Sequence, residues 1–327
     1  CTSPAVLCKY QNCCFFKTSK SSALHQQLCR MRAEIPNITK ERIVNMISIK
    51  ELETKGSAFP VRAVAYTNPS VEPRACILYF HGGGLLYGHA EDLPSLHLQR
   101  LTEAGYPVVS FEYPLAPAAK LDTILACVCS SINHYLNHWQ EYVPKRLPYV
   151  LFGRSAGAYL CLTAAAHGKL DEKPAGILSY YGYGFLCDHW YETPSSYYCS
   201  LPAVSEACLD AIPKEIHTSG DLDIHYSVYV YARQTGKWKS LIYEGREKFF
   251  YLDYSLRTID TLPCPLFTAH SIGDTDVPYE EFTALCSRYN PVRYISAGNI
   301  HDFDRDEKSP ETTKLLDETI AFLKTIE

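Results

Sequence analysis

Two short stretches of this 327-residue chain could do chemistry with the groups they carry. The first is Gly153-Arg154-Ser155-Ala156-Gly157, which follows an apolar run at Tyr149–Phe152 and precedes a small-residue segment of good helix formers. Strand, Gly-x-Ser-x-Gly, helix is the context in which this pattern lifts a serine hydroxyl clear of a sheet, open to a base and a substrate. The turn is so sharp that a Cβ at Gly153 or Gly157 would collide with backbone, and Ser155 is forced into a strained conformation. Ser155 is therefore the candidate nucleophile. The second stretch is His81-Gly82-Gly83-Gly84-Leu85-Leu86-Tyr87-Gly88, directly after an apolar run ending at Phe80. Glycines there free backbone N–H groups to face a cavity. The N–H groups of Gly83 and Gly84, with that of Ala156 after the nucleophile, are the candidate oxyanion hole for a tetrahedral intermediate. His81 reads as an anchor of the loop. A phosphate loop fits poorly, since neither G-x-G-x-x-G nor Gly-Lys-Ser/Thr spacing is present.

Those groups need a scaffold. Strands are predicted at Cys76–Phe80, Pro107–Tyr113, Tyr149–Phe152, Ala175–Tyr180, Pro265–Ala269 and Val292–Ser296. Helices are predicted over 91–104, 118–139, 156–168, 279–289 and 310–325. Strands alternating with helices imply an α/β fold with a mostly parallel central sheet flanked by helices on both faces. Upstream, Ile43–Ile49, a turn near Lys55-Gly56 and Val61–Tyr66 read as an antiparallel pair at a sheet edge. One further helix is predicted from Ser21 or Ser22 to about Arg32, on the spacing of Leu24, Leu28 and Met31. The alternation fails between about Leu186 and Asp260, which reads as an insertion over the top of the sheet.

With these motifs in order, the chain resembles the hormone-sensitive-lipase-like carboxylesterases of the α/β-hydrolase superfamily. Residues 81–84 match that group's HGGG loop, and 153–158 correspond to its G-D-S-A-G-G elbow. Glu112-Tyr113-Pro114-Leu115-Ala116-Pro117 resembles its D-Y-R-L-A-P segment. Three departures stand out: Arg154 replaces an Asp, Ala158 replaces a Gly, and the D-P-L-R-D acid motif is missing. The resemblance implies an α/β-hydrolase fold with a cap insertion and a triad in the order Ser, acid, His. Ser271-Ile272-Gly273-Asp274-Thr275-Asp276-Val277-Pro278 is similar to the D-x-x-V-P form of other α/β-hydrolases, which picks Asp274 and leaves Asp276 as the alternative. Either could instead be a turn aspartate capping the next helix. The loop histidine in Ala297-Gly298-Asn299-Ile300-His301-Asp302-Phe303 resembles the catalytic base, with His270 as its rival. The implied chemistry is serine-dependent ester hydrolysis through an acyl-enzyme, without metal or other cofactor.

The implied organisation is an N-terminal segment, 1–40, forming part of the cap. A catalytic core follows at 41–185 and 261–327, with a cap insertion at 186–260. Thirteen aromatic residues from Trp190 to Tyr254 in that insertion suit a compact or aromatic ester, although more than half are expected to form the cap's own core. Leu85, Leu86 and Tyr87 are expected to line the acyl side. The net charge of −5 supplies no electrostatic footprint for nucleic acid, and no apolar run is long enough to span a bilayer. The expected partner is a small-molecule ester, with the oligomeric state open and a homodimer among the options. Fourteen cysteines are scattered without C-x-x-C pairing, apart from an N-terminal group at Cys1, Cys8, Cys13, Cys14 and Cys29. Several fall in predicted core elements, where a reduced thiol acts as a small hydrophobe, so a cytoplasmic location is expected. Two other classes remain: a serine peptidase or amidase on the same parts, and a non-catalytic binding protein on the same fold.

Overall fold

The computed structural model describes residues 47–54 and 60–327. The expected helix near Ser21–Arg32, the turn near Lys55-Gly56, the N-terminal cysteine group and the 1–40 segment lie outside the described residues. Eight strands form one sheet: β1 (Ser48–Thr54), β2 (Val61–Thr67), β3 (Cys76–Phe80), β4 (Val108–Phe111), β5 (Tyr149–Arg154), β6 (Gly176–Tyr180), β7 (Leu266–Ser271) and β8 (Val292–Ser296). Their spatial order is β1-β2-β4-β3-β5-β6-β7-β8. β1 pairs antiparallel with β2, and β2 antiparallel with β4, while every pairing from β4 to β8 is parallel.

Around the sheet lie α1 (Ser95–Glu103), α2 (Leu121–Asn137), α3 (Ala156–His167), α8 (Tyr279–Tyr289) and α9 (Pro310–Leu323). Between β6 and β7 the insertion contributes α4 (Ser196–Cys199), α5 (Leu222–Thr235), α6 (Trp238–Ile242) and α7 (Glu247–Asp253). Successive residues of β3 show why the predicted strands are continuous apolar runs. Cys76, Leu78 and Phe80 enter one core cluster with α2 and α3, whereas Ile77 and Tyr79 enter the other with α1 and α9. Both faces are covered, so alternation disappears.

The first strand differs from its expected place. The apolar run Ile43–Ile49 drew the reading upstream, but β1 runs to Thr54, in register from Ser48 opposite Thr67 to Thr54 opposite Val61. The part of that run before Ile47 lies outside the described residues. Lys50, Glu51 and Glu53 lie beyond that apolar run. On an exposed edge strand they are in place, since charge there blocks pairing with other chains.

The insertion is held to the core at several points. Gly88 and Gly220 form an isolated antiparallel bridge. The Glu281 carboxylate on α8 is fully buried and accepts the N–H groups of Gly184, Phe185 and Cys187 and the indole N–H of Trp190. Trp190, Tyr191, Trp238 and Phe250 pack against one another within the same core cluster as Leu78 and Phe80.

Candidate active site

β5 hands the chain to α3 through a single residue. Ser155 sits there at φ +53° and ψ −119°, with its N–H donating to Tyr180 O at 2.9 Å. The crowding expected at the elbow is present. A Cβ on Gly153 would fall 2.1 Å from the Gly157 carbonyl carbon, and one on Gly157 would fall 2.0 Å from Phe80 O. Both obstacles are backbone, so neither can swing aside. Gly157→Ala is accordingly expected to yield no soluble folded protein, which expression followed by circular dichroism would check. A variant that melts cooperatively near the parent temperature would contradict this.

The loop after β8 brings His301 to the serine. Its Nε2 lies 2.8 Å from Ser155 Oγ, and its Nδ1 lies 2.7 Å from Asp274 Oδ2. A carboxylate on Nδ1 calls for the tautomer with Nδ1–H, leaving Nε2 to accept the serine proton. Asp274 is itself fixed, since its Oδ1 accepts the N–H groups of Asp276 and Val277 at 2.8 and 3.0 Å. Burial alone would raise the Asp274 pKa; His301, His270 and the Asp276 N–H outweigh it and hold the group below its ordinary value. Burial likewise disfavours the His301 imidazolium, but Asp274, then Asp276 and Asp302, outweigh that and raise its pKa to about 9. His270 is fully buried; its Nε2 lies 3.0 Å from Val277 O and 3.3 Å from Asp274 Oδ2, so it backs the acid turn.

Asp276 has other partners. Its two carboxylate oxygens take the Tyr229 hydroxyl at 2.8 and 2.9 Å, and Arg233 Nε lies 3.3 Å from Oδ1. Its Oδ2 is 4.0 Å from His301 Nε2, the ring nitrogen other than the one Asp274 binds.

The glycine loop runs beside the serine: a Cβ on Gly82 would lie 3.5 Å from Ser155 Cβ. Gly83 and Gly84 adopt φ of +94° and +59°, which favour glycine. Because a trans peptide sets C=O and the next N–H in opposite directions, whatever binds a carbonyl aims the donor after it. Gly82 O takes the Tyr113 hydroxyl at 3.1 Å and His81 Nδ1 at 2.9 Å, which aims Gly83 N–H away from them. Gly83 O accepts from Leu86 and Tyr87 N–H at 2.9 and 3.2 Å, which does the same for Gly84 N–H. Trp238 then donates its indole N–H to Gly84 O at 2.8 Å, and the Tyr229 ring lies where a Gly84 side chain would be. Ala156 opens α3, where the first N–H groups have no partner within the helix. His81 is buried and stacked on Tyr113 at 4.2 Å, and burial lowers its pKa to about 4. Leu85 and Leu86 are fully buried in the main core cluster, unlike the accessible acyl-side wall expected of them; Tyr87 is partly exposed and packs on Tyr226 and Tyr229.

Arg154, the departure within the elbow, is neutralised locally. Its guanidinium is buried, 3.0 Å from Asp304 Oδ1 and 3.3 Å from Asp92 Oδ2, and donates to the Tyr181 hydroxyl at 2.6 Å. Asp304 also takes the Tyr181 hydroxyl and lies 2.9 Å from His97 Nε2, while Arg305 pairs with Asp92 at 3.1 Å. The Tyr181 ring packs on His301 at 4.6 Å, so this cluster underpins the histidine loop. Sequence reasoning missed Asp92, Asp304 and Arg233, and it counted Tyr229 and Trp238 only among the insertion's aromatic residues. Tyr229 and Arg233 stand four apart on α5, a helical spacing that places them on one face, but nothing local says what that face meets.

A model of the α/β-hydrolase fold family matches residues 77–234, spanning the glycine loop, the elbow and much of the insertion. An α/β-hydrolase superfamily protein of Enterococcus faecalis is 25% identical, with a TM-score of 0.72, covering 84% of this chain and 99% of its own. The chain belongs to the α/β-hydrolase superfamily. Within that superfamily, an esterase of Pyrobaculum calidifontis shares the fold at 16% identity and a TM-score of 0.63, over 91% of this chain and 92% of its own. Among curated relatives, the non-reducing polyketide synthase adrD of Penicillium rubens is 29% identical over 153 residues, which is 42% of this α/β-hydrolase chain. The chain spans about 6% of the length of the curated relatives it matches. Among the described residues no helix is long and apolar enough to cross a membrane.

Proposed function

We propose that the chain is a serine carboxylesterase acting on short-chain or small aromatic carboxylic esters through an acyl-enzyme. One observation carries this reading: Ser155 Oγ, His301 and Asp274 form a continuous hydrogen-bonded line beside a glycine loop with aimed backbone donors. In the first step His301 Nε2 takes the Ser155 proton as Oγ bonds to the ester carbonyl carbon. The N–H groups of Gly83, Gly84 and Ala156 hold the oxyanion, and the alcohol leaves with the proton from His301. Water, deprotonated by the same imidazole, then attacks the acyl carbon, and Ser155 Oγ leaves as it takes the proton back from His301, freeing the acid. Losing one oxyanion donor in such sites costs about 10²–10³ in rate, so the carbonyl anchors behind the loop matter as much as the triad. Residues 41–185 and 261–327 would form the catalytic core, and 186–260 the cap that selects the ester, with the partly exposed Tyr87 of the glycine loop as a contact for it. Free, buried thiols such as Cys76 and Cys161 suit a reducing compartment, consistent with a cytoplasmic enzyme.

The test is turnover of p-nitrophenyl esters of increasing acyl length, with labelling by a serine-reactive fluorophosphonate. Short-chain turnover with one labelled site supports the reading; no turnover and no labelling of folded protein overturns it in favour of a binding role. A second reading, hydrolysis of acyl thioesters by the same serine, is favoured by the similarity to a polyketide synthase. Faster turnover of S-acyl than O-acyl substrates of equal chain length would select it.

The pH dependence follows from the base. His301 acts neutral, and its pKa is raised to about 9, so kcat/KM should climb with pH as the imidazolium loses its proton. The slope below the midpoint is about tenfold per pH unit. A profile for p-nitrophenyl acetate already flat at neutral pH would contradict it.

A further inference from the structure

We propose that Asp276 acts as a second carboxylate on His301 from the Nε2 side, and that Tyr229 and Arg233 of the insertion are the positioning residues that set its charge. The proposal rests on the reading of His301 as the base. Asp274 already serves Nδ1 at 2.7 Å, so Asp276 is not needed to fix the tautomer. Yet its Oδ2 is 4.0 Å from Nε2, the atom that must pass a proton between Ser155 and the leaving group. An unmoderated carboxylate there would stabilise the imidazolium and compete for the Nε2 proton. The structure moderates it twice. The Tyr229 hydroxyl straddles both carboxylate oxygens. Arg233 Nε stands 3.3 Å from Oδ1 as an ion pair, while its Nη2 donates to the Asp276 main-chain oxygen at 2.9 Å. Arg233 is held in turn over the Trp190 ring at 4.7 Å and donates to Trp190 O at 3.1 Å.

Tyr229 also joins the two halves of the site. Its ring covers Gly84 in the oxyanion loop and its hydroxyl holds Asp276, so a shift of α5 would alter both the donor loop and the base. The insertion thereby becomes part of the proton-transfer machinery as well as a cover. The charged or titratable groups facing His301 are Asp274, Asp276, Asp302 and, behind Asp274, His270, with the Tyr181 ring against it. Those facing Asp276, besides His301, are Arg233 and the phenols of Tyr229, Tyr198, Tyr226, Tyr87 and Tyr183.

The test follows the His301 titration by NMR on histidine-labelled full chain, with the resonance assigned through His301→Gln. Asp276→Asn should lower the midpoint by about one pH unit, and Arg233→Met should raise it. Tyr229→Phe should raise it by less, and it carries that arm if Arg233→Met fails to fold. The pH profile of fluorophosphonate labelling should move in the same directions. Midpoints that stay still, or that move the same way in Asp276→Asn and in the Arg233 or Tyr229 variant, overturn the proposal, because a merely structural role has no reason to give opposite signs. A wild-type chain that is never labelled would instead overturn the esterase reading, and the titration would still decide the charge coupling.

Discussion

Alanine at Ser155 should remove ester turnover, lowering kcat by about 10⁴–10⁶, and abolish fluorophosphonate labelling while the melting temperature stays close to the parent's. The hydroxyl makes its hydrogen bond to His301, at 2.8 Å, and the side chain is only 8% exposed. Removing it therefore empties little space and leaves the left-handed backbone geometry as it was. What remains is the donor loop and the binding surface, which in serine hydrolases still accelerate hydrolysis by about 10³–10⁴ over water. Intact-mass analysis after labelling would read the outcome. Residual turnover within tenfold of the parent would mean that another group is the nucleophile.

Arg154→Met should cost stability on the order of 3–5 kcal/mol, seen as a lower urea midpoint, with slower turnover in the protein that remains folded. Arg154 is 1% exposed and its guanidinium sits between Asp304 and Asp92. Without it, Asp304 keeps only His97 and the Tyr181 hydroxyl, in a place where an unpaired charge is expensive. Asp304 lies three residues after His301, and Tyr181 packs on the imidazole, so the loss reaches the base. Arg154→Asp, which writes the residue usual in hormone-sensitive-lipase-like elbows, should do worse. It would bring a third carboxylate to a site built for a cation, and soluble folded protein should fall below detection. Folding of Arg154→Asp at wild-type stability would show that the cluster does not depend on this charge.

That cluster marks where sequence reading stopped. From the sequence, Arg154 was an unexplained departure. Asp92 and Asp304, which explain it, stand 62 and 150 residues away, and no spacing rule links them. The same holds for Trp238, whose indole binds Gly84 across 154 residues. The first strand is displaced for a related reason: the apolar run ends at Ile49, and only the pairing with β2 shows charged Lys50, Glu51 and Glu53 to be strand residues at the sheet edge. Leu85 and Leu86 read as pocket lining because they follow the glycines, but their side chains turn into the core.

What the sequence determined by itself is whatever short-range sterics dictate. The parallel strands are continuous apolar runs because both faces are buried. The elbow is legible because only glycine tolerates a backbone contact near 2 Å, and the donor loop because positive φ favours glycine. The resemblance to the D-x-x-V-P form pointed to Asp274 over Asp276, but only tertiary structure decided where each carboxylate meets His301. Asp274 and Asp276 are two residues apart in the turn that precedes α8, and both are aspartates. Asp274 meets Nδ1, whereas Asp276 is claimed by Tyr229 and Arg233 from an insertion more than 40 residues upstream. The physical reason is that a buried carboxylate goes where its hydrogen-bond donors are, and here those donors come from distant parts of the chain.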